Sequence, residues 1–174
     1  MNFKWFAALA LLVTCLLIGA GFAKAEEPTD TNICGLSQNR IDTYLERIEP
    51  FRRKIQTTLR DFNVDENFVW LALIESGGKS EAESNRGAAG IWQLTEQTAR
   101  HYGCSDRTDI ECSTKAAAQY LSKLHKDFGN DVWKVVVAYN MGGSNYRRRG
   151  KPTAEAKKLA NTVTCLMEFD YGND

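Results

Sequence analysis

The longest unbroken apolar run after the first 25 residues is Phe68 to Ile74, and it stops on Glu75-Ser76-Gly77-Gly78. A run of that length closed by a glycine pair predicts a helix buried on all sides that ends at its C-cap. Asn63 and Glu66 have capping-box spacing, which places the start of this helix near Val64. Upstream, Ile41, Leu45, Ile48, Phe51, Ile55 and Leu59 recur at intervals of three and four and predict amphipathic helix. Arg40, Arg47, Arg52, Arg53 and Lys54 form its solvated face, and Pro50 predicts a junction or kink because it has no N–H to donate.

Downstream, 79–90 has no apolar periodicity and ends in Arg86-Gly87-Ala88-Ala89-Gly90, whose small residues permit close approach of backbone to backbone or ligand. Helices are expected over about 91–102, stopped by Gly103, and over 113–128, with Ser113 as N-cap. Ala117, Tyr120, Leu121 and Leu124 share a face of the second. Asp131 caps another apolar helix over about 132–139, halted at Asn140-Met141-Gly142-Gly143; 147–151 reads as a basic loop, and Pro152 opens a last helix over about 153–167. No repeat or strand with convincing alternation is present. The expected fold is all-α, with six to eight helices around the helix that ends at Glu75.

The first 25 residues depart from this pattern. Lys4 precedes an apolar stretch from Ala7 to Ala20, and Ala23-Lys24-Ala25 is a small-x-small cleavage site, so a secretory signal peptide is expected over 1–25. A retained membrane anchor is the alternative. Acylation at Cys15 fits poorly, because Thr14 precedes it and Leu16-Leu17-Ile18 continue the apolar run. A flexible lead-in is expected over 26–36 and one domain over 37–170.

Charge and cysteine content narrow the function. Lys and Arg balance Asp and Glu at 22 each, so there is no basic field for nucleic acid and no polybasic patch for anionic lipid. Loss of Lys4 and Lys24 with the leader leaves a mature charge near −2. Cys34, Cys104, Cys112 and Cys165 then remain, an even number that suggests two disulfides in an oxidising compartment. Of the three possible connectivities, Cys104–Cys112 with Cys34–Cys165 is favoured, a local loop plus a tie between the ends of the domain. With no CxxC pair, and His101 and His125 in no ligand motif, neither a metal nor another cofactor is expected.

Glu75 is the main candidate for chemistry. Burial in an apolar helix disfavours its ionised form, and a helix C-terminus pushes the same way, which suits a general acid. A Glu at a helix end reaching into solvent is the plainer alternative. Three islands could line a groove with it: Glu75-Ser76-Gly77, Gly87-Ala88-Ala89-Gly90-Ile91-Trp92-Gln93-Leu94 and Ala138-Tyr139-Asn140-Met141-Gly142.

Together these islands resemble the lytic transglycosylases of the goose-type-lysozyme superfamily, the SLT-domain group also called glycoside hydrolase family 23. The family pattern is Glu-Ser-Gly, a Ser nine residues after the Glu, Gly-Ala-x-Gly-Leu-x-Gln and Ala-Tyr-Asn-x-Gly. Glu75, Ser84, Gln93 and Tyr139-Asn140 stand at the matching places, and the likeness covers roughly 48–143, including Thr98 to Gly103 and Ala116 to Leu121.

The resemblance implies a lysozyme-like fold and cleavage of the β-1,4 bond between N-acetylmuramic acid and N-acetylglucosamine in peptidoglycan. One Glu would protonate the leaving oxygen and then help the 6-hydroxyl of the same sugar attack C1, giving a 1,6-anhydro end. Glu75 takes that part. Ser76, Ser84, Gln93, Tyr120, Tyr139 and Asn140 are the substrate-binding candidates. Against each stands a structural alternative: a C-cap for Ser76, a turn for Ser84, an exposed helix polar for Gln93, core aromatics for Tyr120 and Tyr139, and a helix-end cap for Asn140. Trp92 would stack on a sugar or fill core.

Glu81 and Glu83 lie in a polar stretch that reads as solvated. Gly78 replaces a bulkier family residue and leaves a more open groove wall; Gly143-Ser144-Asn145-Tyr146-Arg147 departs from the family after Gly142. The expected partners are glycan strands, and a cell-wall or secretion-apparatus protein for targeting, with the chain itself an exported, periplasmic or extracellular monomer without a membrane span once processed. A goose-type muramidase that uses water is the near rival. A catalytically silent glycan-binding or secretion-associated module is the distant one.

Overall fold

The structure is a computed structural model that describes residues 32–171. Among these residues it has seven α-helices and two pairs of two-residue strands, an all-α fold as expected. Hairpin β1 (Asn32–Ile33) and β2 (Leu36–Ser37) pairs antiparallel, so the part of the expected flexible lead-in that is described is folded. It turns through Cys34, and Cys34 is bonded to Cys165, which explains why so short a hairpin is held. The expected signal peptide lies outside the described residues.

Helix α1 (Gln38–Asp61) runs unbroken through Pro50, contrary to the expected junction. Its buried residues Ile41, Ile48, Ile55 and Leu59 stay in phase on both sides of the proline. Burying that stripe outweighs one lost backbone hydrogen bond. The capping box at Asn63 does not form. Asp65 caps instead, accepting from the Asn67 N–H at 2.9 Å, and a 3-10 turn over Glu66–Phe68 leads into α2 (Val69–Ser76).

Helix α2 is the axis of the core. Val69, Trp70, Leu71, Ala72 and Leu73 are all buried, which a helix tolerates only when neighbours surround it. It stops at Gly77 in the left-handed region (φ 64°), where the Gly77 N–H donates to the Leu73 carbonyl at 2.8 Å. Arg47 of α1 donates from Nη1 to the Gly77 carbonyl at 2.8 Å, setting a cation on the helix C-terminus. Gly78 does not open a groove wall. It is buried against α1, where an added Cβ would lie 2.9 Å from the Tyr44 carbonyl oxygen and 3.1 Å from the Arg47 Cβ.

The expected helix over 91–102 is mostly a hairpin followed by a short helix. β3 (Ala88–Ala89) pairs with β4 (Leu94–Thr95), and α3 (Glu96–His101) follows with Thr95 as cap. Helix α4 (Ile110–Phe128) starts earlier than expected. Asp109 caps it by accepting from the Cys112 N–H at 2.6 Å, while Ser113 is buried and donates to the Asp109 carbonyl at 2.7 Å.

Helix α5 (Val132–Met141) begins at the expected Asp131 cap. The expected basic loop is largely helix α6 (Gly143–Arg149), ended by Gly150. Helix α7 (Ala154–Tyr171) buries Ala156, Ala160, Val163, Leu166 and Met167 against the core, and it packs along α5. The second disulfide is Cys104–Cys112. No helix among the described residues is long and apolar enough to cross a membrane.

Candidate active site

A groove of about 580 Å3 crosses the C-terminal end of α2, and Glu75, Ser84, Gln93, Tyr120, Tyr139 and Asn140 all line it. The chain brings them together from four places: the last turn of α2, the β3–β4 hairpin and its approach, the middle of α4, and the last turn of α5. Ser76 is not among them. It is buried, its hydroxyl donating to the Ala72 carbonyl at 2.9 Å and accepting the Gly78 N–H at 3.1 Å, so it closes the helix end and lies outside the groove lining.

Glu75 has its pKa pushed up from the ordinary 4.5 to about 7. Burial is the main cause, the nearby Glu155 carboxylate adds to it, and a hydrogen bond from Asn140 opposes both. At neutral pH the carboxyl is therefore divided between a form that can donate a proton and one that can accept it. Asn140 reaches Glu75 from inside α5, whose C-cap is Gly142, so it is not the helix-end cap that its local sequence suggested.

Tyr139 lies against the same carboxyl. It is buried, its hydroxyl donates to the Trp92 carbonyl at 2.8 Å, and burial together with the Glu75 charge lifts its pKa well above the ordinary value. Trp92 itself is core: it is fully buried and donates from Nε1 to Thr114 Oγ1 at 3.0 Å, which removes it from any sugar face. Tyr120 stacks between Tyr139 and Tyr102, with ring centroids at 5.3 and 5.7 Å. Its hydroxyl accepts the Gly143 N–H at 3.3 Å. A row of aromatic rings thus runs away from Glu75 along one wall.

The hairpin wall is held by its backbone. Gln93 sits at φ 47°, a region that L-residues seldom adopt. Its Nε2 donates to the carbonyls of Ala82 (3.0 Å) and Gly90 (2.9 Å), which leaves the amide oxygen as the group it can present. Ser84 Oγ accepts the N–H groups of Ala88 (3.0 Å) and Arg86 (3.3 Å), so its own proton is what it can donate.

Arg107 braces this hairpin from outside, donating from Nη1 to the carbonyls of Gly87 (2.7 Å) and Leu94 (3.2 Å). The two segments touch so closely that a Cβ on Gly90 would lie 1.7 Å from the Arg107 carbonyl oxygen. Removing the guanidinium in Arg107→Ala is expected to cost about 2 kcal/mol. Amide exchange should quicken at Gly90 and Gln93 first; unchanged exchange there would show that the brace is idle.

Two site residues escaped the sequence reading. Glu155, in the first turn of α7, lines the groove, and Arg86 pairs with it at 3.0 Å across the opening. Neither lies in a motif, and each reads locally as a solvated charge. Glu81 and Glu83 are exposed and lie outside the groove lining. Because the Glu155 charge raises the Glu75 pKa, Glu155→Gln is expected to lower it. The alkaline limb of a rate profile would then move to lower pH, and an unmoved limb would show that the charge is not felt.

Comparison with known proteins adds to this geometry. The model of the family described as the transglycosylase SLT domain matches residues 54–161, a stretch that contains Glu75, Gln93, Tyr139 and Glu155. The chain belongs to the transglycosylase SLT family. Membrane-bound lytic murein transglycosylase D of Escherichia coli (strain K12) is 35% identical over 102 residues, covering 55% of this chain and 23% of that protein. Membrane-bound lytic murein transglycosylase F of Actinobacillus succinogenes is 32% identical over 129 residues, covering 69% of this chain and 27% of that protein. A protein of Alteromonas sp. (strain M-1) described as a tributyltin chloride resistance protein is 30% identical, covering 67% of this chain and 62% of its own length. The chain therefore spans about a quarter of the two murein transglycosylases and under two thirds of the third relative.

Proposed function

We propose that this SLT domain is a peptidoglycan lytic transglycosylase in which Glu75 serves first as acid and then as base. The observation that carries the reading is the Glu75 carboxyl, poised near neutrality, in a groove lined by Gln93, Tyr139 and Asn140. The protonated carboxyl of Glu75 gives its proton to the glycosidic oxygen as the C1–O bond breaks. The carboxylate so formed takes the proton of the 6-hydroxyl as O6 bonds to C1. No water enters, and the muramic acid end becomes a 1,6-anhydro sugar. A group whose pKa sits near the working pH can serve in both steps. Gln93 and Ser84 would orient the sugar by hydrogen bonds, and Tyr120, whose ring faces are taken by Tyr139 and Tyr102, would bound the groove with its edge.

An exported location fits the same reading. The two disulfides suit an oxidising compartment, and the leader over 1–25 would be removed to leave a periplasmic or extracellular monomer with its domain over 37–170. Digestion of purified murein followed by fragment masses tests the reaction. Ends lighter by one water than free reducing ends are expected.

Full-mass reducing ends would overturn the transglycosylase reading in favour of a muramidase. That second reading has its own observation, since Glu155 is a second carboxylate in the groove. Its engagement with Arg86 argues against its holding an attacking water.

A further inference from the structure

The run Arg147-Arg148-Arg149 forms the last turn of α6 and straddles the groove. Arg147 lines a hollow of about 490 Å3 that shares Gln97, Thr98, Tyr120 and Asn145 with the Glu75 groove. Arg148 and Arg149 line another, of about 470 Å3, which shares Asn140, Asn145 and Glu155 with it. This second hollow is unbalanced in charge. Among the described residues its one acid is Glu155, already matched by Arg86 at 3.0 Å, so Arg148 and Arg149 are surplus. Arg148 donates to the side-chain oxygen of Asn145, a neutral acceptor that does not cancel its charge.

Basic and acidic residues are equal over the whole chain, so the surplus is a matter of placement. Fixed positive charge on the wall of a concave site favours anionic ligands, and the planar guanidinium fork matches a carboxylate.

We propose that Arg148 and Arg149 form a carboxylate-binding subsite beside the Glu75 groove, holding acid groups that hang from a glycan strand lying in it. This rests on the reading of the groove as a peptidoglycan site. The sugar backbone of peptidoglycan is uncharged, and its carboxylates project from muramic acid. They belong to the stem peptides or, once the peptides are removed, to the exposed lactyl group. The subsite gives the groove a means of telling murein from an uncharged strand with the same backbone.

The test compares Arg148→Gln/Arg149→Gln with its parent on three ligands: peptide-bearing murein strands, strands stripped of peptide by an amidase, and N-acetylglucosamine oligomers. Binding is measured with Glu75→Gln also present, and turnover without it. Two exposed ion pairs at roughly threefold each predict about tenfold weaker binding of peptide-bearing strands at low salt. The difference should fade as salt is added, and the uncharged oligomer should bind equally to both proteins. A loss confined to peptide-bearing strands assigns the carboxylate to the stem peptide, and a loss that persists on stripped strands assigns it to the lactyl group. Unchanged binding of both murein ligands, or an equal loss on the oligomer, overturns the subsite. If the parent with Glu75 intact releases no fragments from murein, the enzymatic reading fails, while the binding comparison still decides the subsite.

Discussion

Glu75→Gln is expected to lower fragment release from murein by about 10³-fold, the usual scale for a lost general acid, while the fold is kept. Gln fills the same space and can still bond to Asn140, so the loss would reflect the missing proton. The variant has a second signature in stability. Because the folded-state pKa of Glu75, about 7, lies above its ordinary 4.5, the folded protein prefers the protonated form. Its favourable contribution is complete below about pH 4.5 and is lost as pH rises through about 7, leaving the wild type roughly 3 kcal/mol worse off at alkaline pH. Glutamine has no proton to lose. The free energy of unfolding of the variant, measured by denaturant, should therefore stay level where that of the wild type falls, and above about pH 8 the variant should be the more stable of the two. Parallel pH profiles for the two proteins would mean that Glu75 is not held protonated by the fold.

Cutting the Cys34–Cys165 bridge should have the largest effect on stability. It joins positions 131 residues apart, and closing a loop of that length removes about 5 kcal/mol of chain entropy from the unfolded state. Cys104–Cys112 closes a separation of only 8 residues, for which the same relation gives about 2.5 kcal/mol. Cys34→Ser/Cys165→Ser is thus expected to lose about twice as much unfolding free energy as Cys104→Ser/Cys112→Ser. Equal losses would mean that native-state contacts around the bridges, and not loop entropy, set their worth. Without the long bridge, the β1–β2 hairpin loses its covalent tie to α7, so that variant should also be cut first by protease near Asn32–Ser37.

Much of the fold was legible because its signals are local. The apolar run before Glu75 and the glycine pair after it are enough to make a buried helix and stop it, since capping and burial on all sides act within a few turns. The same holds for the Asp131 cap and the stripe on α1. Where a local signal competed with packing, it lost: Pro50 did not break α1, because the apolar stripe stayed in phase across it. At the start of α4, Asp109 took the cap expected of Ser113, since a residue buried at that end cannot also stand outside the helix.

Local signals therefore placed most of the helices, though not the β3–β4 hairpin or α6, and they put Glu75 at the end of the innermost one and Gln93, Tyr139 and Asn140 in the candidate site. The tertiary structure alone decided that Trp92 and Ser76 turn inward, that Asn140 reaches Glu75, and that Glu155, from the far end of the chain, sets its charge beside the same carboxyl. No window of neighbouring residues carries that information. The electrostatic environment of a buried carboxyl is fixed by whatever packs around it, and segments distant in sequence meet only when the core closes.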